Sequence, residues 1–387
     1  PISPRRPDDG SEFSQQRGDA LTRSLEDLAS PYLRGLIPYA PGKPIEEVER
    51  ELGIAGSVKL ASNENPLGPS PKALQAVSLA LAGIHRYPDG GGYRLRQALG
   101  RHWEVSPDWV ILGNGSNELL ELVGRCFLMP GDEVVYAKQA FVVYDMVAQV
   151  TGATKVAVPL KALTHDLEAM RAAITVRTKL VFLANPNNPT GTAVPARALE
   201  AFLAGVPSDV LVVLDEAYYE YLSPGLRPDA LRFVRDGRLL LVLRTFSKIY
   251  GLAGLRIGYG IGPEPLVGIL NRAREPFNTN CLAQVAATAA LEDVSHVAQS
   301  LALNERGRAY LLEGCRVLGL GVVPSVANFL LVDVGRPGPA TADALLKRGV
   351  IVRPMAGYGF PTHLRITIGT EGENRRCMDA LQAVLEG

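Results

Sequence analysis

The length, composition and charge of the chain indicate an ordinary globular protein and exclude several classes. It has 387 residues, 47% of them hydrophobic and 21% charged, and a formal net charge of zero. It contains no lysine and arginine block that could neutralise a nucleic-acid backbone, and no apolar stretch near the ~20 residues that span a bilayer. We therefore expect a soluble protein that binds neither nucleic acid nor membrane and has room for two domains.

The beginning of the chain has the composition of a tail. Residues 1–20 are rich in proline, charged residues and serine without periodicity, which predicts disorder. Within them, Gly10-Ser11-Glu12-Phe13 is what two adjacent restriction sites would encode, which suggests vector-derived sequence. We expect residues 21–60 to form an arm that packs on the smaller domain or on a partner subunit.

The cysteines point to a reducing compartment. They are scattered in apolar stretches without metal-type spacing, at Cys126, Cys281, Cys315 and Cys377. Buried free thiols and no metal site are expected from this spacing. The chain also shows no charged-then-apolar signal peptide, so we expect a cytoplasmic protein.

Short apolar runs alternate with helical patterns through the first two thirds of the chain. The predicted buried strands are Val110–Leu112, Val134–Ala137, Lys155–Pro159, Leu180–Ala184, Val210–Leu214, Leu239–Leu243 and Ile257–Ile261. The predicted helices between them include Leu119–Leu128, Val142–Thr151 and Pro195–Leu203. Such alternation indicates an α/β domain, placed at residues 61–275, whose mostly parallel sheet is covered on both faces.

The pattern changes after Pro263. Three helices are predicted around Leu266–Ala273, Leu282–Leu291 and His296–Leu318, and a smaller βαββα set runs from Asn328 to the end. The last helix opens with a capping-box spacing from Thr370 to Glu373. We assign residues 276–387 to a smaller α/β domain.

Polar clusters follow the carboxyl ends of several predicted strands, which is where open α/β sheets build their sites. The clusters are Gly113–Glu118, Asn185–Gly191 and Asp215–Tyr218. Taken alone, the first fits an ordinary capped helix, the second a rigid turn and the third a structural salt bridge. Dinucleotide-binding, P-loop, serine-hydrolase and zinc-protease motifs do not occur in the sequence.

A fourth cluster surrounds Lys248. The strand Leu239–Leu243 continues into Thr245-Phe246-Ser247-Lys248, and Arg256 follows on the next element. Two hydroxyls and a guanidinium make a phosphate-binding set, and a lysine in such surroundings loses its proton more easily and can form a Schiff base with a carbonyl. The alternative is a surface lysine in a polar loop.

From about Tyr32 to the end, the chain resembles the fold-type I pyridoxal-phosphate aminotransferases. The motifs that carry the resemblance look like those of histidinol-phosphate aminotransferases and occur in order: Ala61–Pro66, Arg86–Pro88, Asn188–Gly191, Asp215–Tyr218, Ser247-Lys248 with Arg256, and Leu364–Thr367. The resemblance implies a large domain with a mostly parallel, seven-stranded type of sheet, a smaller C-terminal α/β domain and pyridoxal 5'-phosphate as cofactor.

The resemblance also implies roles for individual residues. Lys248 would carry the cofactor and move protons, Asp215 would pair with the pyridine nitrogen, and Asn188 and Tyr218 would bind the ring's phenolic oxygen. The residues implied to hold the cofactor phosphate are Ser116, Asn117, Thr245, Ser247, Arg256 and, from the other subunit, Tyr87. Because Tyr87 would come from the other subunit, the resemblance also implies a homodimer with shared active sites. Phe141 stands where a tyrosine usually stacks on the ring, so it can stack but cannot donate a hydrogen bond.

The implied substrates are a small-molecule amino donor and a 2-oxo acid. Arg365, Arg353, Asn188 and Tyr39 would bind them, and two arginines suit the phosphate of histidinol phosphate or a dicarboxylate. The expected reaction converts histidinol phosphate and 2-oxoglutarate to imidazole-acetol phosphate and glutamate, in histidine biosynthesis. For Arg353 the alternative is an interdomain salt bridge.

Three other functions remain open at this point. An aromatic-amino-acid aminotransferase would carry nearly the same motifs, and a threonine-phosphate decarboxylase would use a similar scaffold without a keto acid. A cofactor-binding regulator fused to a DNA-binding module is disfavoured because only a short irregular segment precedes Tyr32.

Overall fold

The computed structural model describes residues 24–38 and 42–387, which fall into two compact units at this gap. In the first unit, α1 (Leu25–Leu28) is capped by Ser24, whose side chain accepts from the Asp27 amide, and a 3-10 turn follows at Pro31–Leu33. The predicted tail at residues 1–20 and the substrate residue Tyr39 lie outside the described residues.

Three sheets organise the second unit. The strands are β1 (Val58–Lys59), β2 (Val110–Gly113), β3 (Glu133–Ala137), β4 (Thr154–Val158), β5 (Thr178–Ala184), β6 (Leu211–Asp215), β7 (Leu240–Thr245), β8 (Gly258–Ile261), β9 (Gly321–Val323), β10 (Phe329–Asp333), β11 (Val350–Ile351), β12 (Arg353–Pro354) and β13 (His363–Thr367). The seven-stranded sheet has the order β2-β8-β7-β6-β5-β3-β4. Only β8 runs antiparallel to its neighbours there, so the sheet is mixed and mostly parallel, as predicted.

Helices cover both faces of this sheet. The helices of the second unit are α2 (Ile45–Leu52), α3 (Pro71–Ala80), α4 (Tyr93–Trp103), α5 (Ser116–Phe127), α6 (Val143–Thr151), α7 (Leu167–Ala172), α8 (Ala196–Gly205), α9 (Ala230–Arg235), α10 (Glu264–Ala273), α11 (Cys281–Leu291), α12 (Val294–Val317), α13 (Gly338–Leu346) and α14 (Glu371–Glu386). None of the helices among residues 24–38 and 42–387 is long and apolar enough to cross a membrane.

The alternating directions of the β5 side chains show why helices must pack on both faces of the sheet. Val181 and Leu183 enter a core cluster shared with α4, α8 and α11, whereas Leu180 and Phe182 enter a second cluster shared with α5, α6 and α10. Successive side chains of a strand point to opposite faces, so a strand that is apolar throughout requires burial on both. Each such side chain contributes about 1.5–3 kcal/mol when fully buried.

The expectation of a buried strand at Lys155–Pro159 was wrong. The strand β4 forms at Thr154–Val158, but Thr154, Lys155 and Ala157 are exposed because β4 is the edge strand and pairs only with β3. The other six predicted strands form where expected, within one or two residues.

The C-terminal part contains a four-stranded antiparallel sheet in the order β12-β13-β10-β9. Its residues Leu330, Leu364 and Ile366 pack against α14 residues such as Leu381. The short β1 pairs in parallel with β11, which attaches residues 58 and 59 to this C-terminal part. The division into domains at residues 61–275 and 276–387 stays a prediction.

All four cysteines are free, with Cys315 and Cys377 buried and the other two partly buried.

Candidate active site

Lys248 lies just beyond the end of β7, as the sequence predicts. The apolar strand residues anchor its backbone in the core, and its Nζ donates a hydrogen bond to the Ser62 carbonyl at 3.1 Å. Burial, and next the positive charge of Arg365, lowers the pKa of Lys248 from 10.5 to about 8. Arg256 acts in the same direction, while Glu64 and Asp215 oppose it. The amine is therefore far easier to deprotonate than an exposed lysine.

Asp215 occupies the corresponding position at the end of β6. Its register partner on β5 is Ala184, so the carboxylate stands at the carboxyl edge of the sheet. One oxygen, Oδ2, accepts from the Tyr144 hydroxyl at 2.8 Å, and Oδ1 accepts from the Ala217 amide at 3.1 Å. Burial raises the pKa of Asp215, and these two hydrogen bonds counteract the rise by stabilising the ionised form.

Tyr218 follows Asp215 on the same loop. Its ring meets Phe329 edge-on at 5.3 Å, and its hydroxyl accepts a hydrogen bond of 2.8 Å from Asn63 Nδ2. Burial raises the pKa of Tyr218 to about 12, and the charge of Arg365 and the bond from Asn63 limit the rise. The phenol therefore keeps its proton at neutral pH.

Arg365 lies on β13 of the C-terminal sheet and lines the cleft. Its Nη1 donates to Asn188 Oδ1 at 2.6 Å, and its Nη2 donates to the Ala61 carbonyl at 2.7 Å. Asn188 belongs to a loop whose Asn185-Pro186 and Asn188-Pro189 bonds are both cis. Two predicted substrate residues, far apart in sequence, thus meet directly.

The start of α5 and Arg256 form the other predicted anion site. α5 begins at Ser116 after Gly115, whose φ is +76° and at which an added Cβ would lie 2.4 Å from Arg256 Nη2. Arg256 Nη1 donates to Ser247 Oγ at 3.4 Å, and the Ser247 amide donates to Thr245 Oγ1 at 3.1 Å. Amide donors of a helix start beside a guanidinium are well suited to a phosphate.

One cleft of about 1270 Å³ is lined by most of the predicted site residues. The predicted residues that line it are Ser116, Asn117, Phe141, Asn188, Asp215, Tyr218, Thr245, Ser247, Lys248, Arg256 and Arg365. Phe141 meets Tyr144 edge-on at 5.9 Å, so its ring is held by the pocket wall.

Two predicted residues do not line this cleft. Tyr87 is 82% exposed and stacks on Phe277 with ring centroids 4.8 Å apart. Arg353 lies on β12 directly opposite Arg365 of β13, so it is the cross-strand neighbour of a cleft residue.

Sequence reasoning missed three contributors to the cleft. Tyr144 binds Asp215, Asn63 binds Tyr218, and the Ser62 carbonyl accepts from Lys248. A signal is present for the last two, because both belong to the Ala61–Pro66 motif that carries part of the family resemblance.

Comparison with known proteins identifies the family. The sequence pattern of the family described as Aminotransferase class I and II matches residues 55–381. The chain is 52% identical to Histidinol-phosphate aminotransferase 1 of Nitrosococcus oceani over 93% of this chain and 97% of that protein. It is 53% identical to Histidinol-phosphate aminotransferase 2 of Pseudomonas aeruginosa over 92% of this chain and 98% of that protein.

A solved structure agrees with the sequence relatives. Histidinol-phosphate aminotransferase from Sinorhizobium meliloti, solved in complex with pyridoxal-5'-phosphate, superposes with a TM-score of 0.85 at 30% identity, over 92% of this chain and 97% of that one. The likeness confirms the predicted fold class. Because the family pattern covers most of the chain and the relatives align over nearly their whole length, the chain belongs to the class I and II aminotransferases.

Proposed function

We propose that the chain is a histidinol-phosphate aminotransferase that carries pyridoxal 5'-phosphate on Lys248. The observation that carries this proposal is a lysine of lowered pKa that shares one cleft with two arginines, Arg256 and Arg365. One arginine suits the cofactor phosphate and the other an anionic substrate. Relatives about 50% identical over more than nine tenths of the chain bear this enzyme's name, which supports the substrate.

The residues of the cleft fit the cofactor part by part. The start of α5, Ser247 and Arg256 offer donors for a phosphate, and Gly115 leaves room for Arg256 that any side chain there would fill. Asp215 offers a carboxylate for a protonated ring nitrogen, and Tyr218 offers a hydroxyl for the ring oxygen. Phe141 offers a flat apolar face for stacking.

Lys248 is the attachment point and the proton carrier. An amine must be neutral to form a covalent bond with a carbonyl, and its lowered pKa makes this form accessible near neutral pH. When bound, the cofactor's ring accepts the electron pair left on the substrate carbon after proton removal. Lys248, once free of the cofactor, would take up the proton from the substrate α-carbon and deliver it to C4' of the cofactor.

Asp215 has to remain ionised for its role. Its buried site favours the neutral carboxyl, and the hydrogen bonds from Tyr144 and the Ala217 amide favour the carboxylate. A cationic ring nitrogen placed beside it would add further stabilisation, because opposite charges at short distance favour the charged form.

Arg365 and Asn188 bind the substrate anion in this proposal, and Arg353 supplies a second cation from the opposite strand. Arg365 already donates to an amide and a carbonyl, so its guanidinium plane is fixed before substrate arrives. Fixed geometry lowers the entropy cost of binding. We assign Tyr39 to the same pocket on the resemblance alone.

We further propose a homodimer with shared sites, located in the cytoplasm. Tyr87 does not line the cleft of its own chain and is largely exposed, although it resembles a cofactor-phosphate ligand. Nearby Leu79, Ile84 and Tyr93 are also exposed, which is typical of a surface that pairs with another subunit. The free cysteines suit a reducing compartment.

A panel of amino donors with 2-oxoglutarate tests the proposed function. Histidinol phosphate should have the highest kcat/KM, phenylalanine and tyrosine should be weaker, and Lys248→Ala should abolish all transamination. If phenylalanine or tyrosine is preferred, the protein is an aromatic-amino-acid aminotransferase. If carbon dioxide is released from threonine phosphate without a keto acid, it is a decarboxylase.

A further inference from the structure

Asn63 is fixed by the C-terminal part of the chain. Its backbone amide donates to Thr367 Oγ1 at 2.9 Å, its Oδ1 accepts from the same hydroxyl at 3.2 Å, and its carbonyl accepts from Asn328 Nδ2 at 3.0 Å. The residue is 1% exposed and has a φ of +56°. This left-handed conformation is uncommon outside glycine, and asparagine and aspartate are the residues that tolerate it best.

These contacts leave one group of Asn63 for the cleft. Because Oδ1 is bound by Thr367, Nδ2 faces the cleft wall and donates to the Tyr218 hydroxyl at 2.8 Å. A phenol oxygen that accepts a hydrogen bond has its own proton directed elsewhere, and it becomes a stronger donor because hydrogen bonds in a chain polarise one another.

We propose that Asn63 is a positioning residue that turns the Tyr218 proton toward the cofactor's ring oxygen and strengthens that donation. The inference rests on the proposed function, in which Tyr218 binds this oxygen. Asn63 also lines the cleft beside Ser62, the acceptor of Lys248, so the same short segment contacts both groups. Burial raises the pKa of Tyr218, and the hydrogen bond from Asn63 opposes that rise, which agrees with this direction.

The pH midpoint of the visible absorption change in cofactor-loaded protein provides the readout. A donor to the ring oxygen stabilises its anionic form, which favours loss of the proton shared with the attached lysine nitrogen and therefore lowers the midpoint. Asn63→Gly keeps the left-handed backbone and removes the side chain. It should raise the midpoint by about half a pH unit to one unit, as expected for one hydrogen bond.

Asn63→Asp provides a second, nearly isosteric variant. Its carboxylate would accept the Tyr218 proton instead of donating, so it should raise the midpoint at least as far as Asn63→Gly. Ser70→Ala is the matched control, because Ser70 is equally buried and bonds Asp293 at 2.7 Å outside the cleft. It should lower the melting temperature without moving the midpoint.

The effect must pass through Tyr218, so each Asn63 variant is also combined with Tyr218→Phe. The combined variants should have the same midpoint as Tyr218→Phe alone. An unchanged midpoint in the single Asn63 variants, or an equal further shift in the Tyr218→Phe background, overturns the inference. If Tyr218→Phe itself leaves the midpoint unchanged, the role assigned to Tyr218 in the proposed function fails instead.

Discussion

The Tyr144 hydroxyl, near the start of α6, donates a 2.8 Å hydrogen bond to Oδ2 of Asp215 at the end of β6. The Tyr144 ring is held by stacking on Phe182 at 4.8 Å with nearly parallel planes. Burial and the neighbouring Asp215 charge hold the pKa of Tyr144 well above its usual range, so it always has a proton to donate. Tyr144 thus orients the cleft carboxylate and favours its ionised form against the effect of burial.

Tyr144→Phe should weaken catalysis without unfolding the protein. Losing the donor raises the pKa of Asp215 further, so the carboxylate is lost at a higher pH and the acidic limb of kcat/KM moves upward. From the typical value of a hydrogen bond to a charged group, kcat should fall about tenfold or more. The pH profile of kcat/KM checks this expectation.

Tyr136→Phe is its matched control. Tyr136 donates to Asp145 at 2.6 Å, but this tyrosine–aspartate pair does not line the cleft. The substitution should leave the pH profile unchanged. An equal shift in both variants would mean that Tyr144 acts only through general stability.

Cofactor uptake should follow the titration of Lys248. The amine reacts only when neutral, and since its pKa is lowered to about 8, the rate of uptake by cofactor-free protein should rise with pH and level off above about 8. Arg365→Gln removes a charge that lowers this pKa, so the midpoint should move to higher pH. Arg336→Gln, which loses contacts to the Val384 and Leu385 carbonyls, should leave it in place. A wild-type midpoint above about 10 would show an ordinary exposed lysine.

Arg353→Ala should damage the use of histidinol phosphate more than that of phenylalanine. A phosphate dianion loses a charge-assisted bond that a neutral ring never made, so kcat/KM should discriminate by about ten- to a hundredfold. Similar losses for both donors, with a lower melting temperature, would instead identify Arg353 as a structural ion-pair residue. Arg336→Ala serves as the control for such a structural effect.

Tyr87→Ala should inactivate the enzyme although the side chain is largely exposed in its own chain. Mixed with Lys248→Ala, it should regain activity, because each hybrid dimer would contain one site with an intact lysine and an intact partner tyrosine. Lys248→Ala mixed with Asp215→Ala should remain inactive, since both residues serve the same site. Hybrids that form without regaining activity would rule out shared sites.

Local sequence order was enough to predict where Lys248 lies and which sheet holds it. Lys248 and Asp215 each follow an apolar strand directly, so strand prediction also locates them at one edge. The exposure of β4 was not predictable in this way, because the position of a strand within the sheet depends on pairing that no local pattern records.

Contacts between distant residues account for what sequence reasoning missed. Asn63 is 155 residues from Tyr218 and 304 from Thr367, so its conformation depends on how β13 approaches β6. Tyr144 lies near the start of α6 and is buried, and a buried tyrosine hydroxyl needs a hydrogen-bond partner. Such a partner can be named only once the strands are in place.

Borohydride reduction of the cofactor-loaded protein, followed by peptide mapping, tests the central claim most directly. Reduction makes the bond between the cofactor and its lysine permanent, so the labelled peptide names the attachment residue. The account predicts a single adduct on Lys248, and no adduct together with no visible absorption band in Lys248→Ala. An adduct on any other lysine, or an unlabelled wild-type protein, would contradict the assignment of this cleft as the active site.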